Sequence, residues 1–526
     1  MQSWFTFEWD GEPCRVEQAS IHQTLADFLY DKDVALTGTS GGTGPGSLVI
    51  MGEREGAGHR FRVFDARLLP LPLVANRQVW TARGIREIEP DHPANLALQE
   101  GHLECGDESW ARLRVLLFEG YYRPDLRRHG QIHDQFDGIT SVTANTPAIR
   151  QAATEVFSST ATLRHEAARK AERAGDEATV WTGRKDIFHD RFTKALFRLG
   201  EAPGVTYVDG RKHRWHRPTS LTALLKLRRE IPEAPLLAGG TTLAGTAAFA
   251  ETANVISLES VKELHQLQVA ETHWDLGAAL PLTQIAEQIG RECPPFNKSL
   301  RHFGERAVRN RATLGGYLAT AWMSGQLTPL LLSLNSRVLL LSEAGERDAP
   351  LSQFFLESGG TILQPGEVIR CVRVPRSTES VLAARGISSR ICDSYSVGPR
   401  RNLCTPYVST AFALELREAI ITKAWVAGNG IGPAPFRVRE AEEFLTGQPW
   451  SEKTAIATLP ILNDALARVF PASANGRQAY QRQLLVTLFQ KFYHQHPTPR
   501  SVRSEILTST EEFAKLDEPF FRADIS

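Results

Sequence analysis

Apolar positions in the first 90 residues come in short runs separated by glycine-rich turns. The runs Trp4–Phe7, Ser47–Met51 and Phe61–Phe64 have the length and composition of strands, and Thr24–Tyr30 has the spacing of a helix. We therefore predict a small α+β unit in this part of the chain.

The pattern becomes helical from about residue 92 to residue 170, with Ala-, Arg- and Glu-rich stretches such as Ala161–Arg173. Strand and helix patterns alternate from about residue 211 to residue 375. The last part mixes strands and closes on an amphipathic helix over Tyr480–Tyr493. One face of that helix carries the apolar residues Leu484, Leu485, Leu488, Phe489 and Phe492.

Length and composition narrow the possible functions. A chain of 526 residues suggests about three or four domains. Sixty basic and sixty acidic residues leave no excess positive charge for a nucleic acid. No apolar run approaches the ~18 residues of a membrane span, so we expect no membrane partner. The N-terminus has no signal-peptide pattern, and the six cysteines have neither paired spacing nor a CxxC motif. Reduced thiols in a cytoplasmic protein are therefore expected.

A glycine-rich stretch, residues 36–46, reads Leu-Thr-Gly-Thr-Ser-Gly-Gly-Thr-Gly-Pro-Gly. It resembles the iron–sulfur cluster loop of the xanthine dehydrogenase (molybdenum hydroxylase) family, with Thr43 where that loop has its first cysteine. Further along, Arg67 stands at another cysteine position. The four positions that resemble the ligands of the family's second cluster hold Cys105, Glu108, Leu117 and Glu119. Thiolates hold such clusters, so we expect no 2Fe–2S cluster and no other metal site.

Two further glycine-rich stretches resemble the flavin loops of the same family. The first is Leu237-Ala-Gly-Gly-Thr-Thr-Leu243 and the second lies within Val308–Pro329. Glycines let backbone N–H groups approach a pyrophosphate closely. The resemblance implies that FAD would be held by Gly239, Gly240, Thr241, Thr242, Thr313, Gly315, Gly316, Thr320 and Gln326.

The second flavin loop departs from the family pattern at three polar positions. Tyr317 replaces an asparagine, Trp322 a serine, and Gln326 the acid that contacts the polar chain of the flavin. The two aromatic side chains either project into the cofactor groove or pack as core. Both retention and loss of FAD therefore stay open.

The resemblance covers nearly the whole chain and implies an α+β multi-domain fold. We expect the following division: a degenerate β-grasp ferredoxin-like domain (1–90), a degenerate cluster-binding helical bundle domain (91–175), a linker (176–210), a two-lobed FAD-binding domain of the PCMH type (211–380), a small α+β domain like the CO dehydrogenase flavoprotein C-terminal domain (381–500) and a tail (501–526).

The function expected from these features is that of a pseudo-enzyme. It would be a redox-inactive structural or regulatory subunit, without catalytic residues, that partners a molybdopterin-binding large subunit or a second copy of itself. The corner at Tyr122, Arg123 and Pro124 would serve as a docking surface, with Arg123 exposed. One alternative is an FAD-binding oxidoreductase that has kept only its flavin. A remote alternative, a serine hydrolase, is suggested by the G-x-S-x-G pattern at Gly38–Gly42.

Overall fold

The fold is taken from a computed structural model of the chain. It describes residues 1–32, 47–55, 58–100, 107–123, 135–136, 146–172, 186–199, 204, 206–244, 246–321, 325–398, 405–471 and 476–497. Four sheets and the helices around them make up this part of the chain, which is a mixed α+β fold with several sheets.

The strands run through the chain in four groups, one for each sheet. The N-terminal sheet holds β1 (Trp4–Trp9), β2 (Glu12–Glu17), β3 (Leu48–Glu55), β4 (Gly58–Asp65) and β5 (Gln78–Trp80). The second sheet holds β6 (Tyr207–Val208), β7 (Arg214–His216), β8 (Leu236–Leu237) and β9 (Asn254–Ser257). The central sheet holds β10 (Leu267–Val269), β11 (His273–Gly277), β12 (Arg337–Ser342), β13 (Gly345–Pro350) and β14 (Val368–Pro375). The C-terminal sheet holds β15 (Ser389–Val397), β16 (Val408–Arg417), β17 (Ile420–Asn429) and β18 (Phe436–Arg437).

The α-helices lie mostly between and after these strands. They are α1 (Leu25–Tyr30), α2 (Ala82–Ile88), α3 (Pro93–Glu100), α4 (Asp107–Tyr122), α5 (Thr146–Glu172), α6 (Arg191–Leu196), α7 (Leu221–Glu230), α8 (Ala247–Ala250), α9 (Leu282–Ile289), α10 (Pro294–Leu300), α11 (Arg306–Arg309), α12 (Leu314–Ala319), α13 (Leu327–Ser333), α14 (Glu379–Ala384), α15 (Arg439–Leu445), α16 (Glu452–Val469) and α17 (Arg477–Gln495).

The N-terminal sheet has the strand order β2-β1-β5-β3-β4. Its β1 and β5 pair in parallel, and its other pairs are antiparallel. Helix α1 begins at Thr24, whose hydroxyl accepts from the Asp27 amide while the Asp27 carboxylate accepts from the Thr24 amide. This reciprocal cap satisfies two backbone donors that a helix end leaves unpaired. The strands and helix predicted for this region are confirmed.

Both faces of the N-terminal sheet are buried along β3, β4 and β5, whereas β1 and β2 have one exposed face. Along β3, Val49 and Met51 point into one core while Leu48 and Ile50 point into the other, as the two-residue period of a strand requires. The first core also contains residues from the second sheet and its helices: Tyr207, Trp215, Leu237, Phe249 and Val255. The second contains residues from the helices that follow, among them Leu113, Leu116, Phe118, Val156, Phe192 and Ala307. Residues 1–90 and the helices after them thus share one core, although the domain limits predicted from the sequence stay predictions.

The second and central sheets carry the middle of the chain. In the second sheet β7 and β8 both pair in parallel with β9. The central sheet is antiparallel, in the order β10-β11-β14-β12-β13. Helices α9, α10, α12 and α13 contribute Ile285, Phe296, Leu314, Leu318 and Leu331 to its core. This packing fixes the start of α12, where the second glycine-rich stretch lies.

The C-terminal sheet is antiparallel in the order β15-β16-β17-β18. Its core includes residues of the last two helices, α16 and α17. Of the face predicted for the closing helix, Leu485, Leu488, Phe489 and Phe492 are buried and Leu484 packs against the same core. The prediction of an amphipathic helix here is confirmed.

Among the residues that the structure describes, no helix combines the length and the apolar character needed to cross a bilayer.

Candidate functional site

The first glycine loop, defined as residues 238–243, follows strand β8. Gly240 has a φ of +78°, a backbone conformation that side chains with a Cβ rarely adopt. A Cβ built on Gly239 would lie 2.0 Å from the carbonyl oxygen of Arg311. Glycine is therefore required at Gly239 by the close approach of another backbone segment, and favoured at Gly240 by its conformation.

The N–H groups of this loop are unpaired. Those of Gly239, Gly240, Thr241 and Thr242 donate no hydrogen bond to any other described residue. The carbonyl groups of the same segment are occupied, since the Arg311 guanidinium donates to Ala238 and Gly239, and the Ala244 amide donates to Gly240 at 2.8 Å. Consecutive unpaired N–H groups near a residue with positive φ form a concavity suited to an anion.

The second glycine loop, residues 311–320, has the amides of both its glycines satisfied within the protein. The Thr313 hydroxyl accepts from the Gly316 amide at 3.2 Å and so caps helix α12. The Gly315 amide donates to the Ala278 carbonyl at 2.8 Å, and a Cβ on Gly315 would lie 2.6 Å from the Ala278 Cβ. Gly315 therefore serves close packing against the residue that follows β11, whereas Gly316 lies against the Thr313 hydroxyl that caps the helix. Thr320 is exposed at the far end of the helix.

Tyr317 packs as core, which is one of the two alternatives weighed from the sequence. Its side chain lies in the core of the central sheet. Its hydroxyl accepts from the amides of Leu327 and Thr328 at 3.2 and 3.1 Å, and the Thr328 hydroxyl donates to it at 2.9 Å. Burial, partly offset by these bonds, raises the pKa of Tyr317 to about 12. The phenol ties α12 to the start of α13. Trp322 lies outside the described residues.

Gln326 comes directly before α13 and is half-buried. Its side-chain oxygen Oε1 is buried and has no hydrogen-bond partner within the described chain. A buried acceptor without a partner costs about 1–3 kcal/mol, and a ligand hydroxyl could satisfy it. Gln326 can accept a hydrogen bond as the family's acid would, but it carries no charge.

The two glycine loops meet at Arg311. Its guanidinium donates from Nε to the Gly239 carbonyl at 3.2 Å and from Nη2 to the Ala238 carbonyl at 3.1 Å. The structure therefore brings Gly239, Gly240, Thr241 and Thr242 together with the start of the loop that holds Thr313, Gly315 and Gly316. Free amides on the first loop and a free acceptor at Gln326 fit the phosphates and hydroxyls of FAD.

Of the positions that resemble cluster ligands, those whose side chains the structure describes hold residues already engaged elsewhere. Arg67 is bonded to Asp65, Nη2 to Oδ2 at 2.6 Å, and Leu117 is buried in the second core of the N-terminal sheet. Thr43 and Cys105 lie outside the described residues, and of Glu108 only the backbone, in α4, is described. A guanidinium and an aliphatic side chain are not iron ligands, so Arg67 and Leu117 do not fit a 2Fe–2S cluster.

Glu119 is completely buried and fully paired. The Arg306 Nε donates to both of its oxygens, at 3.1 and 3.0 Å. The side-chain amides of Gln135 and Asn310 donate to it at 2.8 and 3.2 Å. Asn310 also donates to the Val63 carbonyl of the N-terminal sheet at 2.8 Å. The carboxylate thus joins α4, α11 and β4, and it does not fit the role of an iron ligand.

The same network extends through Arg306 to Glu287. Arg306 Nη2 donates to Glu287 at 3.2 Å, and Arg62 of β4 binds the same carboxylate with two bonds of 2.8 Å. Burial opposes ionisation of Glu287, but the charges of Arg62 and Arg306 outweigh it and hold its pKa well below the usual range. Each carboxylate of this network is therefore paired with at least one arginine.

Arg123 is buried, and the expectation that it is exposed for docking is wrong. Only 6% of the residue is accessible, and its guanidinium donates to Gln135 at 2.5 Å. The helical pattern expected for residues 92–170 does not indicate this contact between Arg123 and Gln135, which lie twelve positions apart. Pro124 lies outside the described residues, as does the Gly38–Gly42 pattern that suggested a serine hydrolase.

Two sets of functional candidates were not found from the sequence: the Glu119–Arg306–Glu287–Arg62 network and Arg311 with its partners. Arg311 lies inside the second flavin motif, four positions before its glycine pair. Its contact with a loop some seventy positions earlier was not visible. Within the described residues, no group of three or more His, Cys, Asp or Glu side chains is arranged to hold a metal ion.

Comparison with known protein families identifies two regions. Residues 211–377 match the FAD-binding domain in molybdopterin dehydrogenase. Residues 393–496 match the CO dehydrogenase flavoprotein C-terminal domain. The first match contains both glycine loops and Gln326.

Curated relatives extend the similarity along the chain. Aldehyde oxidase 1 of Oryctolagus cuniculus is 28% identical over 323 residues, which cover 57% of this chain and 23% of that protein. Xanthine dehydrogenase of Emericella nidulans is 27% identical over 317 residues, or 57% of this chain and 22% of that protein. Aldehyde oxidase 2 of Rattus norvegicus is 25% identical over 531 residues, or 92% of this chain and 38% of that protein. The chain thus spans well under half the length of these relatives.

Among solved structures, the chain matches quinoline 2-oxidoreductase from Pseudomonas putida 86 at 23% identity and a TM-score of 0.47, covering 53% of this chain and 95% of that one. Carbon monoxide dehydrogenase from Hydrogenophaga pseudoflava has 19% identity and the same TM-score, covering 53% and 94%. The family and sequence matches confirm the resemblance described above: the chain is a relative of the FAD-carrying portion of the molybdenum hydroxylases, the group that includes xanthine dehydrogenase.

Proposed function

We propose that this chain is a cluster-free relative of the iron–sulfur and FAD portion of molybdenum hydroxylases and that it acts as a redox-inactive structural or regulatory subunit. The observation that carries the proposal is the state of Glu119. It stands where the family resemblance puts a cluster cysteine, yet it is completely buried and bonded to Arg306, Gln135 and Asn310. The position serves the packing of the fold instead of iron.

The physical reason is that Glu119 cannot be released without cost. Breaking its bond to Arg306 would leave two charges buried without their closest partner, a loss of several kcal/mol. Moreover, the iron atoms of a 2Fe–2S cluster are held by thiolates. Leu117 offers no donor atom, and Arg67 offers a positive charge. An electron path through two clusters is therefore not part of the proposed function.

The first test is the iron and acid-labile sulfide content of the protein, purified without oxygen and again after cluster reconstitution. We expect no stoichiometric iron in either sample, because the ligand positions hold Arg67, Leu117 and Glu119. Two or more iron atoms per chain, with equal sulfide, would contradict the proposal. A plant-type ferredoxin taken through the same reconstitution serves as the positive control.

A second candidate function, a flavoprotein that has kept FAD without clusters, is favoured by the first glycine loop. The unpaired amides of Gly239, Gly240, Thr241 and Thr242 and the unpaired oxygen of Gln326 are groups that FAD could satisfy. Bound FAD would supply one- and two-electron transfer. The chain's own residues would hold its phosphates and hydroxyls. Absorbance of the purified protein decides between the candidates, since oxidised flavin bands support this one and a protein that takes up no added FAD excludes it.

We also propose that three parts of the chain form the units expected from the family resemblance. The order of the N-terminal sheet and the position of α1 support a β-grasp unit in residues 1–90. The helices between Pro93 and Glu172 support a helical unit derived from a cluster-binding domain. The sheet and two long helices after residue 389 support a small α+β unit at the C-terminal end.

We also propose a molybdopterin-binding chain, or a second copy of this chain, as the partner. The support is that the matched segments make up only 22–38% of the length of its relatives, so in those proteins this portion lies beside much further sequence. We expect the protein to elute with a mass well above its own 58.3 kDa, either alone or after co-expression with a molybdopterin-binding chain of the same organism. Light scattering coupled to gel filtration measures this. A monomer under both conditions would contradict the proposed partner.

A further inference from the structure

Arg311 binds the first glycine loop from the carbonyl side. Its two bonds, at 3.2 Å to Gly239 and 3.1 Å to Ala238, involve adjacent peptide groups. The backbone of Arg311 and Ala312 also lies against Gly239, where a Cβ would come within 2.0 Å of the Arg311 carbonyl oxygen. One residue therefore contacts the loop through both its side chain and its main chain.

The direction of the loop's N–H groups follows from these bonds. In a planar trans peptide, the C=O of one residue and the N–H of the next point in opposite directions. The described chain contains no cis peptide bond. Since the Ala238 and Gly239 carbonyls point at Arg311, the amides of Gly239 and Gly240 point away from it. The Gly240 carbonyl accepts from the Ala244 amide, which turns the Thr241 amide away from Ala244 as well.

The Arg311 guanidinium is itself held in place. Its Nη1 lies 3.7 Å from the Glu259 carboxylate, which also accepts from Arg77 at 2.9 Å. Arg217 is nearby, and its guanidinium donates to the Pro72 carbonyl. Burial opposes ionisation of Glu259, but the charges of Arg77, Arg311 and Arg217 outweigh it and lower its pKa. Three arginines thus surround Glu259, and Glu53 is a second carboxylate that acts on Arg77, so the group around Arg311 keeps a net positive charge.

We infer that Arg311 is a positioning residue for the FAD pyrophosphate: it fixes the carbonyls of Ala238 and Gly239 so that the amides of Gly239, Gly240 and Thr241 present a row of donors to the phosphates. The inference rests on the second candidate function, in which FAD is retained. The net positive charge that Arg77, Arg217 and Arg311 keep after pairing with Glu259 and Glu53 favours an anion near the loop.

The test compares Arg311→Met and Arg311→Lys with the unchanged protein. Arg376→Met is a matched control, because the Arg376 guanidinium also donates to a carbonyl, Ala270 at 2.7 Å, and to a carboxylate, Glu292 at 2.7 Å, but on another part of the molecule. The dissociation constant of FAD is measured by quenching of flavin fluorescence. Hydrogen exchange of the Ala244 amide, which donates to Gly240, is measured without FAD.

We expect Arg311→Met to weaken FAD binding by about tenfold or more, the effect of losing charged hydrogen bonds that order the loop. Arg311→Lys keeps the charge but loses the planar guanidinium. Its affinity for FAD should therefore lie between those of the unchanged protein and Arg311→Met. Exchange at Ala244 should accelerate in Arg311→Met, and Arg376→Met should change neither quantity by more than about threefold. If Arg311→Met is poorly folded, Arg311→Lys carries the comparison.

These measurements distinguish a failure of the role proposed for Arg311 from a failure of FAD binding. Unchanged FAD affinity and unchanged Ala244 exchange in Arg311→Met would overturn the role of Arg311 while leaving FAD binding intact. If the unchanged protein binds no FAD, the flavin candidate fails. Exchange at Ala244 then decides alone whether Arg311 orders the loop, since acceleration supports that role and no acceleration overturns it.

Discussion

Replacing Arg306 by methionine is expected to lower the free energy of unfolding by about 3–5 kcal/mol, the usual loss when one member of a buried ion pair is removed. Arg306 is 2% exposed and is the cation that bonds both oxygens of the completely buried Glu119. Methionine has a similar length, so the main change is an uncompensated carboxylate, with a second loss at Glu287. Urea unfolding followed by circular dichroism measures the difference.

Arg337→Met is the control for that experiment. Arg337 and Asp348 form a pair 2.7 Å apart, with both side chains about 40% exposed. Exposed pairs contribute between about 0 and 1 kcal/mol. If Arg306→Met costs no more than Arg337→Met, the buried network is not a stabilising element of this fold. The double variant Glu119→Leu with Arg306→Met should recover part of the loss, because it removes the unpaired carboxylate together with its partner.

Gly239→Ala is expected to destabilise the protein by about 3 kcal/mol or more, at the upper end of the cost of overpacking. The added Cβ would meet the carbonyl oxygen of Arg311 at 2.0 Å and its carbonyl carbon at 2.7 Å. Both are backbone atoms, so no side chain can turn aside, and the two glycine loops must separate. A fall in melting temperature measures the loss, and weaker FAD binding should accompany it if the protein retains the cofactor.

The control here is Gly447→Ala. Gly447 has a φ of +87°, and a Cβ at that position would meet nothing within 4 Å. Its cost is then the conformational strain alone, about 1 kcal/mol. Equal losses at Gly239 and Gly447 would mean that the contact with Arg311 has no energetic weight, and would count against the arrangement of the two loops.

Local patterns were sufficient to predict many individual elements. Thr24 with Asp27 three positions later is a helix start that depends on neighbouring residues alone, and α1 begins there. The closing helix likewise follows from the spacing of Leu485, Phe489 and Phe492, which one core buries. The flavin loops were identified by their resemblance to the family's motifs, and the close backbone approach at Gly239 is a constraint that keeps such a glycine in place.

Long-range pairings could not be predicted in the same way. Nothing near Glu119 in the chain indicates that Arg306, almost two hundred positions later, will bond to it. Arginine is usually a surface residue, and the contacts that accompany the burial of Arg123, with Gln135 and with the charge of Glu287, are not visible in the sequence. From the sequence, the Tyr317 side chain could lie either in the cofactor groove or in the core. It lies in the core, where the amides of Leu327 and Thr328 donate hydrogen bonds to its hydroxyl.

The two buried faces of the N-terminal sheet have a consequence for synthesis of the protein on the ribosome. The last residues to cover them are Val255 on one face and Ala307 on the other, long after Trp80 ends the sheet. At about 5–20 residues per second, the chain between Trp80 and Ala307 takes roughly 10–45 s to make. During that time, strands such as Leu48–Glu55 and Gly58–Asp65 expose apolar residues on both faces, because the later residues that pack against them have not yet been made. The nascent N-terminal segment should therefore depend on chaperones until the middle of the chain has emerged.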